Sequence, residues 1–372
     1  MSNAAPDQHP SATPAPDSDT PADANTTQAT SVCLGTRGSQ LALAQSQQVA
    51  HALESASATT PNTTPLSIAL TTIRTQGDVD PTSLRELGGI GVFAASLRLA
   101  LLHGEVDLAV HSYKDLPTEP VPGLRITAVP RREDPRDALC ARDHLTLSTL
   151  PDGATVGTGS PRRAAQLLAV RPDLRIVDLR GNVPTRLARV AGLEHLATPL
   201  PADAPGHSRT LGDLDAVVLA LSGLRRLNLN RHATQILDTD IMLPAPAQGA
   251  LAVETRADVD AALPRLAQAA AALDDLETRL SVAAERALMR RLEAGCAAPV
   301  GALAEFDGDQ FRLRALVASL DGQQVRRCER ALPAAGLSVP DAERLGAELA
   351  QALLDCGAAS IVDLHANKAR RG

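Results

Sequence analysis

The stretch VCLGTRGSQLALAQSQQVAHAL, residues 32–53, sets the pattern for much of the chain. Its opening residues, Val32 to Thr36, are aliphatic, small or β-branched and read as a strand, and Gln40 to Leu53 then places apolar residues at helical spacing. Between them Arg37, Gly38 and Ser39 turn the chain, with Ser39 where a helix takes its N-cap. The rhythm goes on with a strand from Leu66 to Ile73, a helix from Val92 to His103 and a strand from Val106 to Val110. It restarts at Ala154–Gly157 (strand), followed by Pro161–Val170 (helix), Arg175–Leu179 (strand), Pro184–Val190 (helix) and Asp215–Ala220 (strand). Such alternation implies a largely parallel sheet covered by helices, and the restart implies two α/β lobes.

Two segments would join those lobes. Pro117 to Pro135 is proline-rich around a short strand, and Pro244 to Gly249 supplies a second crossing, so a two-stranded hinge is expected. The C-terminal part changes character, with a helix from Glu277 to Glu293 and three strands separated by Asp307-Gly308 and Asp321-Gly322. Asp-Gly between alternating runs is a strong hairpin signal. A helix from Asp341 to Leu354 closes a small α+β domain with a three-stranded antiparallel sheet. The expected limits are a tail at 1–30, a first domain at 31–130 with 247–268, a second at 131–246 and a third at 269–372. A Pro-, Gly- and His-rich insertion at about 198–212 reads as a surface loop of the second domain.

Composition narrows the function. With one Tyr, three Phe and no Trp in 372 residues, the core must be aliphatic, and no stacking platform for unpaired bases is available. A net charge of −7 removes the attraction that sequence-independent nucleic-acid binding needs. The apolar runs, such as Leu97 to Leu102, are far shorter than the roughly 20 residues that span a bilayer. A soluble protein acting without nucleic acid or membrane is expected. Residues 1–30 lack the basic start and apolar stretch of a signal peptide and have the composition of a disordered segment. Cys33, Cys140, Cys296, Cys328 and Cys356 are odd in number and widely spaced, which suits a reducing cytoplasm and argues against a disulfide framework or a zinc site.

Basic residues recur where a strand gives way to a helix: Arg37 after the first strand, Arg162 and Arg163 in Gly159-Ser160-Pro161-Arg162-Arg163, Arg180 in Arg180-Gly181-Asn182, and Arg186 just beyond. Ligands of open α/β sheets bind at that edge, where helix N-termini also favour anions. Any one of these residues, or Ser39 or Ser160, could be a plain helix cap or a solvated charge. Five guanidinium groups at strand ends in two lobes point instead to a polyanionic, polycarboxylate ligand in the cleft between them. Asp115, in His111-Ser112-Tyr113-Lys114-Asp115, lies at the same kind of edge and reads either as a turn cap or as an ionised carboxylate able to stabilise a cation. Cys296, in the loop after the long C-terminal helix, reads on its own as an inert small residue. On these observations an enzyme and a two-lobed solute-binding module both remain open.

A resemblance decides between them. Residues 34–42 (LGTRGSQLA), 110–118 (VHSYKDLPT), 132–138 (REDPRDA), 156–163 (VGTGSPRR), 179–183 (LRGNV), 243–250 (LPAPAQGA) and 292–296 (LEAGC) resemble, in family order, the hydroxymethylbilane synthases, also called porphobilinogen deaminases. The resemblance implies two hinged lobes like those of periplasmic binding proteins, a small third domain, and a cytoplasmic monomer that joins four porphobilinogen molecules into a linear tetrapyrrole. It implies a dipyrromethane cofactor joined to Cys296 through a thioether. Asp115 would hydrogen-bond pyrrole N–H groups and stabilise the azafulvenium cation formed as ammonia leaves. Arg37, Ser39, Lys114, Ser160, Arg162, Arg163 and Arg180 would hold the acetate and propionate groups of the cofactor. Arg37, Arg180, Arg186 and Gln248 would hold those of the substrate. The chain departs from many bacterial members at Glu86, just before the glycine-rich stretch 87–93, at Ile90 within it, and at Ala95, Ser96 and Arg98, where lysine or glutamate is common. A lid of altered charge is the expected consequence.

Overall fold

The computed structural model describes residues 30–59, 65–73, 92–197, 210–294 and 298–364. In chain order the first lobe has β1 (Thr30–Thr36), α1 (Gln40–Ala58), β2 (Leu66–Thr72), α2 (Val92–Leu102), β3 (Leu108–Ser112) and β4 (Leu124–Ala128). The second has β5 (Asp137–Ala141), β6 (Thr155–Gly157), α3 (Pro161–Val170), β7 (Arg175–Val177), α4 (Val183–Leu187), β8 (Ala216–Ala220), α5 (Leu221–Arg226) and β9 (Gln235–Ile236). The chain then returns to the first sheet as β10 (Leu251–Arg256) and leaves through α6 (Val259–Ala262) and α7 (Pro264–Leu273). Last come α8 (Leu276–Arg291), β11 (Val300–Asp307), β12 (Gln310–Ala318), β13 (Val325–Pro333), α9 (Val339–Asp355) and α10 (Ala358–Ile361).

Each lobe is a five-stranded sheet, ordered β2-β1-β3-β10-β4 in the first and β7-β6-β8-β5-β9 in the second. Neither sheet is wholly parallel. β10 runs antiparallel to both β3 and β4, and β5 runs antiparallel to both β8 and β9. Those two strands went unread in the sequence, and they share a cause: each is the first strand after a crossing between lobes, so it enters the next sheet from the hinge end, against the grain. β3 also starts two residues later than the expected Val106, because Asp107 is taken up by the main chain of Cys33, its N–H donating to the Cys33 carbonyl and its carboxylate accepting from the Cys33 N–H, each at 2.8 Å. The β11-β12-β13 sheet is antiparallel, with Gly308 and Gly322 at positive φ in its two turns, as the Asp-Gly pairs required.

The aliphatic core takes the expected form. Leu34, Leu53, Leu108, Val253 and Leu266 pack between the first sheet and its helices, and Leu139, Val156, Leu167 and Val218 line one face of the second. In the C-terminal unit α8 and α9 cover one face of the sheet around Phe311, the largest fully buried side chain among the described residues.

Glu285 of α8 ties the three units together. Its carboxylate, fully buried, accepts from Arg132 Nη1 and Nη2 at 2.7 and 3.0 Å, from the Ala247 N–H at 2.5 Å and from the Ala304 N–H at 2.8 Å. Arg132 belongs to the first crossing, Ala247 to the second and Ala304 to β11, so one side chain joins both hinge strands to the C-terminal sheet. The crossings also hold each other, Arg132 Nε donating to the Gln248 carbonyl at 2.8 Å. Gly249, at φ +89°, sits so close to the first crossing that a Cβ would lie 2.3 Å from the Glu133 carbonyl oxygen. Replacing Glu285 by Gln strips the charge that Arg132 faces and turns an acceptor into a donor opposite main-chain N–H groups. The variant should lose about 3 kcal/mol or more of unfolding free energy, the cost of leaving one partner of a buried pair uncompensated, in a urea titration. A midpoint within error of the parent would remove Glu285 from this role.

Candidate active site

The strand ends of both lobes meet at the hinge, and the charged residues collect there. β3 runs into a 3-10 turn, Tyr113–Asp115, that leaves Asp115 exposed and Lys114 half-buried beneath it. On the other side β6 runs into α3, whose first turn carries Arg162 and Arg163, both buried. What holds two guanidinium groups side by side in the interior is Asp137, the first residue of β5 and fully buried. Arg162 Nη2 donates to one of its oxygens at 2.7 Å, and Arg163 Nε and Nη2 donate to the other at 3.0 and 2.8 Å. Burial alone would raise the Asp137 pKa, but the two cations outweigh it and hold the carboxyl at about 2.

Gln248 links this cluster to the first lobe. Its side-chain nitrogen donates to Asp137 at 2.9 Å and to the Pro135 carbonyl at 2.7 Å, and its oxygen accepts from Lys114 Nζ at 3.4 Å. Expected to hold substrate, Gln248 lies fully buried with its amide spent on protein partners. Lys114 titrates low, at about 8: burial is the main cause, Asp115 opposes it, and Arg163 adds to it. Arg186, from α4, is brought down to about 10 by burial and by Arg163, with Asp115 again opposing. Asp115 and Arg163 thus act on both Lys114 of the first lobe and Arg186 of the second. Arg180 sits at the exposed rim, 3.4 Å from Asp178, and Arg37 half-buried in the loop after β1.

Two serines read alike in the sequence part ways. Ser39 caps α1, accepting from the Ala42 N–H at 3.3 Å. Ser160 has the N-cap position of α3 but makes no side-chain capping bond, so its hydroxyl is not used as the sequence suggested. A further cation was missed. Arg226, at the end of α5, donates to the Gly249 carbonyl at 2.6 Å, while burial brings its pKa to about 10. Arg226 stands at the far end of α5 and not at the junction with β8, so the strand-to-helix signal that exposed the other arginines passes it by.

Cys296 lies outside the described residues, as do 86–91 of the glycine-rich stretch, the tail 1–29 and 198–209 of the insertion. The approach to Cys296 is described. α8 ends with Glu293 at φ +50°, the Glu293 N–H donating to the Arg290 carbonyl and the Ala294 N–H to the Met289 carbonyl, a Schellman turn that aims the chain at residue 295. Arg98, one of the unusual positions of α2, grips the buried Glu254 of β10 through Nε at 3.0 and 3.1 Å, and His111 Nε2 lies 3.0 Å from the same carboxylate.

Comparison with known proteins follows the same lines. The family model described as porphobilinogen deaminase, dipyromethane cofactor binding domain, matches residues 32–263, and that of the porphobilinogen deaminase C-terminal domain matches residues 279–355. The chain belongs to the porphobilinogen deaminase family. The porphobilinogen deaminase of Cutibacterium acnes is 52% identical over 347 residues, covering 91% of this chain and 98% of that protein. That of Micrococcus luteus is 54% identical over 310 residues, covering 79% and 80%. Among solved structures, an arginine-specific periplasmic binding protein of Salmonella typhimurium covers 66% of this chain and 93% of its own at 13% identity and a TM-score of 0.32, too loose a likeness to decide anything. The family's reaction is the deaminating polymerisation of four porphobilinogen molecules to linear hydroxymethylbilane on a dipyrromethane primer, and it is the activity of this chain.

The residues suit that cofactor. Arg162 Nε is buried with no hydrogen-bond partner among the described residues, and Lys114 meets only an amide oxygen at 3.4 Å. Cations outnumber carboxylates here, which fits a group bearing acetate and propionate arms. Asp137→Asn tests the arrangement without ligand. It should cost about 3 kcal/mol at neutral pH, since two buried cations lose their counter-charge. Because the Asp137 pKa is depressed, its contribution is complete above the unfolded-state value of about 4 and fades as pH falls towards about 2. The stability gap between parent and variant should close over that window in urea titrations; a gap that is absent at pH 7 counts against the ion pairs.

Proposed function

We propose that Asp115 is the catalytic group of this deaminase and that the basic residues of both lobes grip carboxylates around it. The observation that carries the reading is the run of contacts from Lys114 through Gln248 and Asp137 to Arg163, which brings the Asp115 turn up to the basic first turn of α3. As the amine of porphobilinogen leaves, positive charge develops on the substrate, and a fixed carboxylate stabilises it more than water would. The exposed Asp115 can also accept pyrrole N–H bonds. Arg37, Ser39, Lys114, Ser160, Arg162, Arg163 and Arg180 hold cofactor arms, and Arg37, Arg180 and Arg186 hold substrate arms. Gln248 acts at one remove, orienting Lys114 and Asp137. The dipyrromethane cofactor supplies the primer on which the chain grows, and Cys296 anchors it through a thioether. Two lobes hinged at the crossings, with limits near 31–130 plus 247–268 and 131–246, and a third domain at 269–372, give the cleft room to hold a growing product.

We place the protein in the cytoplasm as a monomer. The four described cysteines, Cys33, Cys140, Cys328 and Cys356, are free thiols, which supports a reducing compartment. No helix among the described residues is long and apolar enough to cross a membrane.

Asp115→Asn keeps the size and removes the charge, so single-turnover ammonia release should fall at least about a hundredfold. Thermal unfolding should barely move, because Asp115 is exposed. Asp115→Glu should retain more activity than Asn. Near-normal release by the Asn variant would refute the assignment. Cys296→Ser, in turn, should fold but carry no mass increment and show no turnover, since a hydroxyl is a far poorer nucleophile than a thiolate. Tetrapyrrole made at the parental rate by the serine variant would contradict the anchoring role.

A further inference from the structure

Asp115 makes no side-chain hydrogen bond to any described residue, so its place depends on the backbone of its turn. That turn is thin, closed by one main-chain bond from the Leu116 N–H to the Tyr113 carbonyl at 3.2 Å. Its support comes from the C-terminal unit. Arg286, next to Glu285 on α8, donates through Nη1 to the Tyr113 and Leu116 carbonyls at 3.2 and 2.8 Å and through Nη2 to the Pro117 carbonyl at 2.6 Å. Its guanidinium carbon also stands 4.4 Å from the centroid of the Tyr113 ring. One planar fork thus holds three carbonyls that bracket Asp115 and stacks on the aromatic ring that opens the turn.

We propose that Arg286 is a positioning residue for the reaction: it fixes the Asp115 turn from α8, so the C-terminal unit sets where Asp115 stands. The proposal rests on the reading of Asp115 as the catalytic group. A lysine cannot replace this arginine, because an ammonium has no planar fork to span three carbonyls. Arg286→Lys keeps the charge and a compact stem, so it remains readable if Arg286→Ala fails to fold.

Tyr113 gives a readout apart from activity. The chain has one Tyr and no Trp, so tyrosine emission reports on this turn alone. Acrylamide quenching and emission anisotropy of the full-length enzyme should show a more accessible, more mobile ring in Arg286→Lys than in the parent. Intact mass should show normal cofactor loading. In steady-state assays kcat should drop about ten- to a hundredfold, the scale of a misplaced catalytic group, with KM within about threefold. Combined with Asp115→Asn, Arg286→Lys should cause little further loss, because it acts through a group already disabled.

Unchanged Tyr113 quenching, or a parental kcat beside a disabled Asp115→Asn, overturns the proposal and leaves the Asp115 assignment standing. A full second loss in the double variant overturns it as well, by making Arg286 a general support of the fold. Near-normal release by Asp115→Asn alone sinks both readings.

Discussion

The cleft has to hold mutually repelling cations in place before any anionic group arrives, and the ion pairs of Asp137 are how the chain does it. The carboxylate is fully buried, and both of its oxygens are occupied, by Arg162 on one side and by Arg163 and Gln248 on the other. Desolvating these groups opposes folding, and only close, saturated geometry offsets it. The neutralisation is partial. One carboxylate faces two guanidinium groups, and Lys114 beyond Gln248 meets an amide oxygen and no carboxylate at hydrogen-bond distance.

α8 extends that order to the rest of the molecule. Glu285 takes hold of both crossings and of β11, Arg286 takes hold of the Asp115 turn, and the helix ends in the Schellman turn before Cys296. Neighbouring residues on one helix thereby connect both crossings, the C-terminal sheet and the Asp115 turn. The Gln248 amide, set between Lys114 and Asp137, ties the two lobes to each other at the second crossing.

The sequence carried much of this, and the gaps have physical causes. α3 was legible to the residue because Pro161 fixes its first turn, and the two Asp-Gly turns of the C-terminal sheet declared themselves because the backbone there needs a glycine at positive φ. β5 was not legible: Asp137-Ala-Leu-Cys-Ala141 is short, opens on an acid and follows a proline-containing segment, and only its place between β8 and β9 makes it a strand. Asp137 was therefore seen as part of a motif but not as the partner of two arginines. Gln248 was assigned to the substrate through the resemblance, and nothing local reveals that its amide bridges two lobes. The role of Cys296 came from resemblance alone, as a lone cysteine without a nearby base carries no chemical signal.

The unequal charge in the cleft is best understood as stability exchanged for readiness. Water screens these cations only in part, and their half-buried places hold Lys114 at about 8 and Arg186 at about 10, well below their ordinary values. A depressed pKa in a cation means that its charged form is destabilised where it stands, so any carboxylate that arrives relieves that cost and gains the full pair. A cofactor bearing several carboxylates collects this gain repeatedly and, once covalently joined, cannot return it by dissociating. The same excess charge that makes the empty cleft unfavourable thus makes the loaded one tight. Asp115, exposed and making no side-chain hydrogen bond to a described residue, keeps its carboxylate accessible beside these cations.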